Sequence, residues 1–383
     1  MGNIGLLLGA GASYEVGLPL VWDLTEELRN YLTDEKLRSL NASWRSQDEG
    51  YSENLIEELI SVLHNPWMHY ESILGYLEVG YGRAGPYRRE YHGLYARLVE
   101  IVWLCLYCRH VKNERYILGR LGYLDGIVDM AQANMPLWIF SLNHDLVVEL
   151  LAEKHKVPLS CGFMDKDTLP RRDATGNYVG DLHVETISSE NLDSGKLGFY
   201  THGTHGINLL KIHGALDIFT RHDGKDVLRI LPGSPGVDSV ISALQSIQQE
   251  LKYIDPNTGA PVNAHVVNEI AYSDKAGKLQ FLRRSILAGT FKFNQRRDQV
   301  LPKVYLKLFK SYIQNVATLH VIGYGFGDAH VNLVIREWLE ISPERKLFIV
   351  GPKPSMPAEV LHLAPQVEIV ESSATGYLSS ASK

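Results

Sequence analysis

The chain has 383 residues, 45% of them hydrophobic and 21% charged, proportions that exclude a disordered or fibrous protein. Thirty-eight basic against 44 acidic residues leave a formal net charge of −6, which argues against wholesale coating of nucleic acid. The three cysteines, Cys105, Cys108 and Cys161, are too few for a disulfide framework or a four-cysteine zinc site.

In chain order, the apolar run Ile4 to Leu8 leads directly into Gly9-Ala10-Gly11-Ala12-Ser13, the pattern of a buried strand ending in a glycine-rich turn. A long stretch with helical spacing follows: Val21, Leu24, Leu28 and Leu32, then Leu55, Leu59 and Leu63, then Leu94, Leu98 and Ile101 in a helix that ends near His110. Further short apolar runs at Leu137–Leu142, Ile207–Ile212, Leu319–Ile322, Leu347–Val350 and Val367–Val370 predict parallel strands buried on both faces. The pattern is an α/β chain with a doubly wound, mostly parallel sheet in segments 1–22 and 135–383 and a large helical insertion, 23–134, after the first strand. The region 151–205 reads as an irregular excursion and the Ser/Ala-rich tail as flexible. The apolar run 98–108 is about half the ~20 residues that a membrane span needs. With no basic-then-apolar leader at the start, the chain reads as cytoplasmic.

Four groups of residues fall where an open α/β sheet places a ligand, at the carboxyl ends of its strands. Gly9, Ala10, Gly11 and Ser13 form a turn that suits close approach of backbone to phosphate. Tyr14 stands where the usual dinucleotide fingerprint has its third glycine, and no Gly-Lys-Ser/Thr follows, so a tight turn without a ligand stays open. The second strand ends in Ser141-Leu142-Asn143-His144-Asp145 and the third in Lys211-Ile212-His213-Gly214. The fourth ends in Gly323-Tyr324-Gly325-Phe326-Gly327-Asp328, with Asn332 one helical turn on. Taken singly, Asn143 and Asp328 also suit helix caps, and His213 suits a satisfied core histidine.

Together and in this order, these motifs resemble the SIR2 (sirtuin) superfamily, in its divergent bacterial branch. The resemblance covers the sheet segments and implies a Rossmann-like fold that takes NAD+ as substrate. It implies Gly9, Ala10, Gly11 and Ser13 at the pyrophosphate, and Asn143 and Asp145 at the nicotinamide ribose and carboxamide. It further implies His213 as the catalytic histidine, Gly323 and Gly325 toward the adenosine side, Asp328 beside them, and Gly351 at the adenine ribose. Three departures separate the chain from the deacetylases. No structural zinc is expected from three cysteines; Leu142 replaces a glutamine; and Leu20-Val21-Trp22 replaces an acidic-aromatic-arginine element.

Nicotinamide leaves NAD+ as a neutral amide and needs no general acid, so the site must orient the ribose and deliver water. Asn143 and His213 suit that work as hydrogen-bonding group and base, which predicts hydrolysis of NAD+ to nicotinamide and ADP-ribose. The resemblance implies a setting in antiviral defence, a homo-oligomer, and a HerA-like hexameric ATPase as partner. Two alternatives remain: a DNA nuclease, and a scaffold that senses NAD or ADP-ribose. The first draws on the segment 275–310, where ten Lys or Arg face the single acid Asp298 and make a candidate DNA contact, though a solvated or partner-facing surface is the favoured reading. Cys105 and Cys108, one helical turn apart, read as core thiols, and Asp165 with Asp167 as a mixed-charge loop.

Overall fold

The computed structural model describes residues 3–83, 85–222, 224–262, 265–289, 292, 301 and 303–381. Seven strands form a parallel sheet: β1 (Ile4–Leu8), β2 (Leu137–Ser141), β3 (Leu159–Ser160), β4 (Ile207–Lys211), β5 (Thr318–Ile322), β6 (Lys346–Gly351) and β7 (Val367–Glu371). Their order across the sheet is β7-β6-β5-β1-β2-β4-β3, every neighbouring pair parallel. The chain builds outward from β1 through β2 and β4, then returns to β1's other side with β5. That reversal puts the switch point of a doubly wound sheet between β1 and β5, where such folds open a crevice. The predicted apolar runs became strands, and those at the centre of the sheet are buried on both faces; β2 and β4 are buried at every position, whereas the edge strand β7 has no buried residue.

Helices from Val21 to Ala133 fill the connection between β1 and β2, as the periodicity predicts. Their apolar faces divide between two cores. Ile117, Leu121, Leu124, Ile127 and Val128 join the core of the parallel sheet. Leu24, Leu28, Leu59, Leu98, Val102 and Trp103 instead pack with Leu182, Val184, Phe219, Leu228 and Leu282 in a second core. Those partners belong to a second seven-stranded sheet, antiparallel throughout, that the apolar runs do not predict.

The region 151–205, expected to be irregular, contributes two strands of this second sheet, Asp165–Arg172 and Tyr178–Ile187. Their buried apolar residues, among them Leu169, Leu182, Val184 and Ile187, are separated by charged and polar ones, so they lack an apolar run. Asp167 in the first of them pairs with Arg221 at 3.4 Å and Lys275 at 3.0 Å. The tail expected to be flexible forms the helix Ala374–Ala381, whose Leu378 is fully buried against the parallel sheet's core. Among the described residues no helix is long and apolar enough to cross a membrane.

Candidate functional site

The glycines after β1 and β5 bring two turns into backbone contact. A Cβ on Gly9 would lie 2.6 Å from Gly323 O, one on Gly11 2.8 Å from Gly323 Cα, and one on Gly323 2.3 Å from Ala12 N. The Gly9 amide donates to Ile322 O at 3.0 Å and the Gly11 amide to Gly323 O at 2.9 Å. Gly323 adopts φ +65°, a conformation that glycine takes at least cost. The role of these glycines is therefore first to join the turns at the switch point. Gly325 differs: nothing lies within 4 Å of where its Cβ would be, so its face is open.

Asn143, just past β2, is buried and aims its side chain at the first turn. Its Nδ2 donates to Gly9 O at 2.9 Å and to Ser13 Oγ at 3.2 Å, which fixes the amide's orientation and turns Oδ1, an acceptor, away from those partners. Asp145 is differently employed. Its Oδ1 accepts from the Val147 amide at 3.0 Å, at the start of the helix Val147–His155, while its carbonyl accepts from the buried Lys211 ammonium at the end of β4.

His213, two residues after β4, is 3% exposed and places Nε2 3.1 Å from Asp328 Oδ2. Asp328 is also an N-cap: its Oδ1 accepts from the amides of His330 at 3.0 Å and Val331 at 3.3 Å and starts the helix Ala329–Glu340. Tyr324 buttresses this turn, its hydroxyl donating to Asn332 Oδ1 at 2.9 Å and accepting from the Asp328 amide at 3.0 Å. Phe326 between them holds φ +55°, an uncommon conformation for an aromatic residue, and backbone strain of this kind clusters at functional sites.

Burial first, and then the charge of Lys292, hold the His213 imidazole below the ordinary histidine value, while Asp328 and Glu71 pull it upward. The ring is therefore neutral at pH 7. Burial works to raise the Asp328 carboxyl, but the bond to His213 and the Lys292 charge bring it well below the usual carboxylate range. A neutral imidazole beside an ionised carboxylate carries its proton on Nε2, an oriented-histidine arrangement used in general-base catalysis.

Three neighbours of this pair were not among the predicted site residues. His144 is buried with Nδ1 3.3 Å from Gly214 O, and burial above all drives its pKa well below the histidine norm. Lys292 is buried and its Nζ lies 2.5 Å from Glu71 Oε1, an acid supplied by the helix Tyr70–Gly82 of the insertion. The segment leading to Lys292 crosses the His213 turn, with the Leu287 amide donating to His213 O at 2.9 Å.

The basic segment 275–310 does not form one solvated face. Besides Lys292, Arg284 is interior, paired with Glu100 at 3.0 Å and lying 4.8 Å from the centre of the Trp103 ring. Arg283 pairs with Glu269 at 2.5 Å and Lys310 with Glu337 at 2.6 Å. Arg296, Arg297, Phe291 and Phe293 lie outside the described residues. Cys105 and Cys108 are half-buried on the helix Arg88–Lys112, and burial raises the Cys105 thiol. Among the described residues, no group of three or more His, Cys, Asp or Glu side chains is arranged to hold a metal ion.

No family model matches the sequence, and no curated protein matches it. Similar solved structures include one from a study of the mechanism and regulation of Sir2 enzymes, with a TM-score of 0.36 and 12% identity over 99% of this chain and 90% of that one. A Sir2 mutant with a p53 peptide and NAD gives 0.34 and 9%, over 99% and 91%. The corresponding Sir2, p53 peptide and NAD+ complex gives 0.33 and 9%, over 99% and 91%. Likeness at this level identifies neither substrate nor residue roles in this chain.

Proposed function

We propose that the chain is a SIR2-like NAD+ glycohydrolase that cleaves NAD+ to nicotinamide and ADP-ribose. The observation that carries this reading is the convergence, at the ends of β2, β4 and β5, of the buried His213–Asp328 pair with an Asn143 amide locked onto the first turn. In this reading the open face at Gly325 admits the dinucleotide beside the switch point. Asn143 Oδ1 orients water or a ribose hydroxyl. His213 takes the proton as water adds to the anomeric carbon, and nicotinamide departs as a neutral amide, so no protein acid is needed. Asp328 fixes the imidazole tautomer and stabilises the imidazolium that forms.

Near-complete burial of His213, within the electrostatic reach of the Lys292–Glu71 pair, supports a further part of the reading: the enzyme is quiet until another polypeptide opens the site. A homo-oligomer working with a HerA-like hexameric ATPase in antiviral defence is the proposed setting. The interior positions of Arg284 and Lys292 remove them from any DNA contact and weigh against the nuclease reading.

Mass spectrometry of NAD+, nicotinamide and ADP-ribose tests the proposal, with wild type, His213→Ala and Asn143→Ala, each alone and with a candidate ATPase. Equal release of nicotinamide and ADP-ribose, lost in both variants, is expected. Absence of turnover in every mixture, with NAD+ binding intact, replaces the hydrolase with the sensing scaffold.

A further inference from the structure

Apart from the His213 pair, the most unusual polar group in the protein lies along a cavity of about 370 Å³. Its walls are mostly apolar, formed by Leu146, Ala152, Val157, Ile230, Ala243 and Leu244, yet Glu149, Asp217 and Arg229 also line it. The Glu149 side chain is 3% exposed and that of Asp217 9%.

The buried cations already have partners. Arg229 donates through Nε to Asp217 Oδ2 at 2.9 Å and lies 3.8 Å from Glu185. Lys211 donates to the Asp145 carbonyl and sits 3.3 Å from Glu149 Oε1. At the rim, Lys156 pairs with Glu153 at 2.5 Å. The acids, in contrast, keep spare acceptors: among the described residues, Glu149 Oε2 and Asp217 Oδ1 are buried without a hydrogen-bond partner. Leaving such a group unpaired is costly, and more so when it is charged. Burial pushes the Glu149 carboxyl up to about 7 against the pull of Lys211 and Arg229, with Asp217 adding to the rise, so its negative charge is under-compensated.

A cavity with apolar walls, occupied donors and two unsatisfied carboxylate oxygens calls for a ligand that brings donors, positive charge and a hydrocarbon body. We propose that this cavity binds a small organic cation, an alkyl ammonium or alkyl guanidinium, whose head donates to the Glu149 and Asp217 carboxylates while its chain lies along Leu146, Ala243 and Leu244. This site is distinct from the His213 pair and does not depend on the hydrolase reading.

Calorimetric titration of the full chain tests it, with n-pentylammonium and n-pentylguanidinium as probes and n-pentanol as the uncharged control. Glu149→Gln keeps the shape and removes the charge; Ala243→Leu keeps the charges and fills the space. Circular dichroism establishes that each variant is folded. Saturable binding of at least one cation at one site is expected, tenfold or more tighter than pentanol and weakened tenfold or more in each folded variant. Should Glu149→Gln not fold, the pentanol comparison and Ala243→Leu decide the matter. Three results overturn the proposal: neither cation saturates wild type, so that water alone satisfies the carboxylates; pentanol binds as tightly as the cations; or either folded variant keeps wild-type affinity.

Discussion

Gly323→Ala and Gly325→Ala form a matched pair, two residues apart in one turn, with opposite expected outcomes. At position 323 the backbone has φ +65°, which costs a residue with a Cβ roughly 1–2 kcal/mol. The new methyl would also lie 2.3 Å from Ala12 N and 2.6 Å from Gly11 Cα, backbone atoms that cannot rotate aside as a side chain does. The two turns must separate, which strains the 2.9 Å bond from the Gly11 amide to Gly323 O; losing a buried bond of this kind costs a further ~1–3 kcal/mol. The sum is a destabilisation of about 2–5 kcal/mol. At position 325 no atom lies within 4 Å of the added methyl, and the change is expected to stay within about 0.5 kcal/mol. Urea unfolding followed by circular dichroism measures both. A Gly323→Ala midpoint indistinguishable from wild type, or an equally large loss for Gly325→Ala, would refute the close approach of the two turns.

His320 gives a pH test: burial pushes its pKa down to about 4 from the 6.5 of an exposed histidine. Between those values the unfolded chain binds a proton that the folded one refuses, so about 3 kcal/mol of stability, complete above pH 6.5, is lost as the pH falls toward 4. Unfolding of wild type and His320→Phe from pH 7.5 to 4 checks it, since only wild type should show this part of the slope. For His213, Lys292→Met should raise the pKa and Asp328→Asn lower it, read from the imidazole signals in an NMR titration. A shift of the opposite sign in either variant contradicts the arrangement. Leu378→Ala removes a fully buried side chain from the final helix and should cost about 2–4 kcal/mol in the same urea assay.

Six of the seven strands of the parallel sheet were legible because a central strand buried on both faces must be apolar along its whole length, and such runs stand out in any sequence; the two-residue β3 at the sheet's edge is too short to leave one. The second sheet was harder to read, since five of the eight residues of Asp165–Arg172 are charged and only Leu169 and Pro170 are buried. Its hairpins nevertheless left a signal in their turns. Asp173 and Gly176, Asp274 and Gly277, and, in the separate antiparallel pair Tyr253–Ile254 and Pro261–Val262, Asp255 and Gly259 repeat one device, an aspartate whose Oδ1 accepts from backbone amides ahead of it and a glycine at positive φ. Three such turns in one chain predict hairpins even where the strands between them show no apolar run.

The candidate site was legible in part for a related reason. Asn143, His213 and Asp328 each follow a strand of the parallel sheet, so topology alone brings them to one edge. What topology does not fix is how each side chain is employed. Asp145 sits in the same tripeptide as Asn143, yet it accepts from the Val147 amide while Asn143 reaches the first turn. Lys292 and Arg284 show the same limit for charge. A run of basic residues reports how much charge a segment carries, but the acids that let these two enter the interior, Glu71 and Glu100, come from the helical insertion about 200 residues earlier. Only the docking of that insertion on the second sheet brings them together, so a composition that reads as surface becomes part of the electrostatic frame around His213.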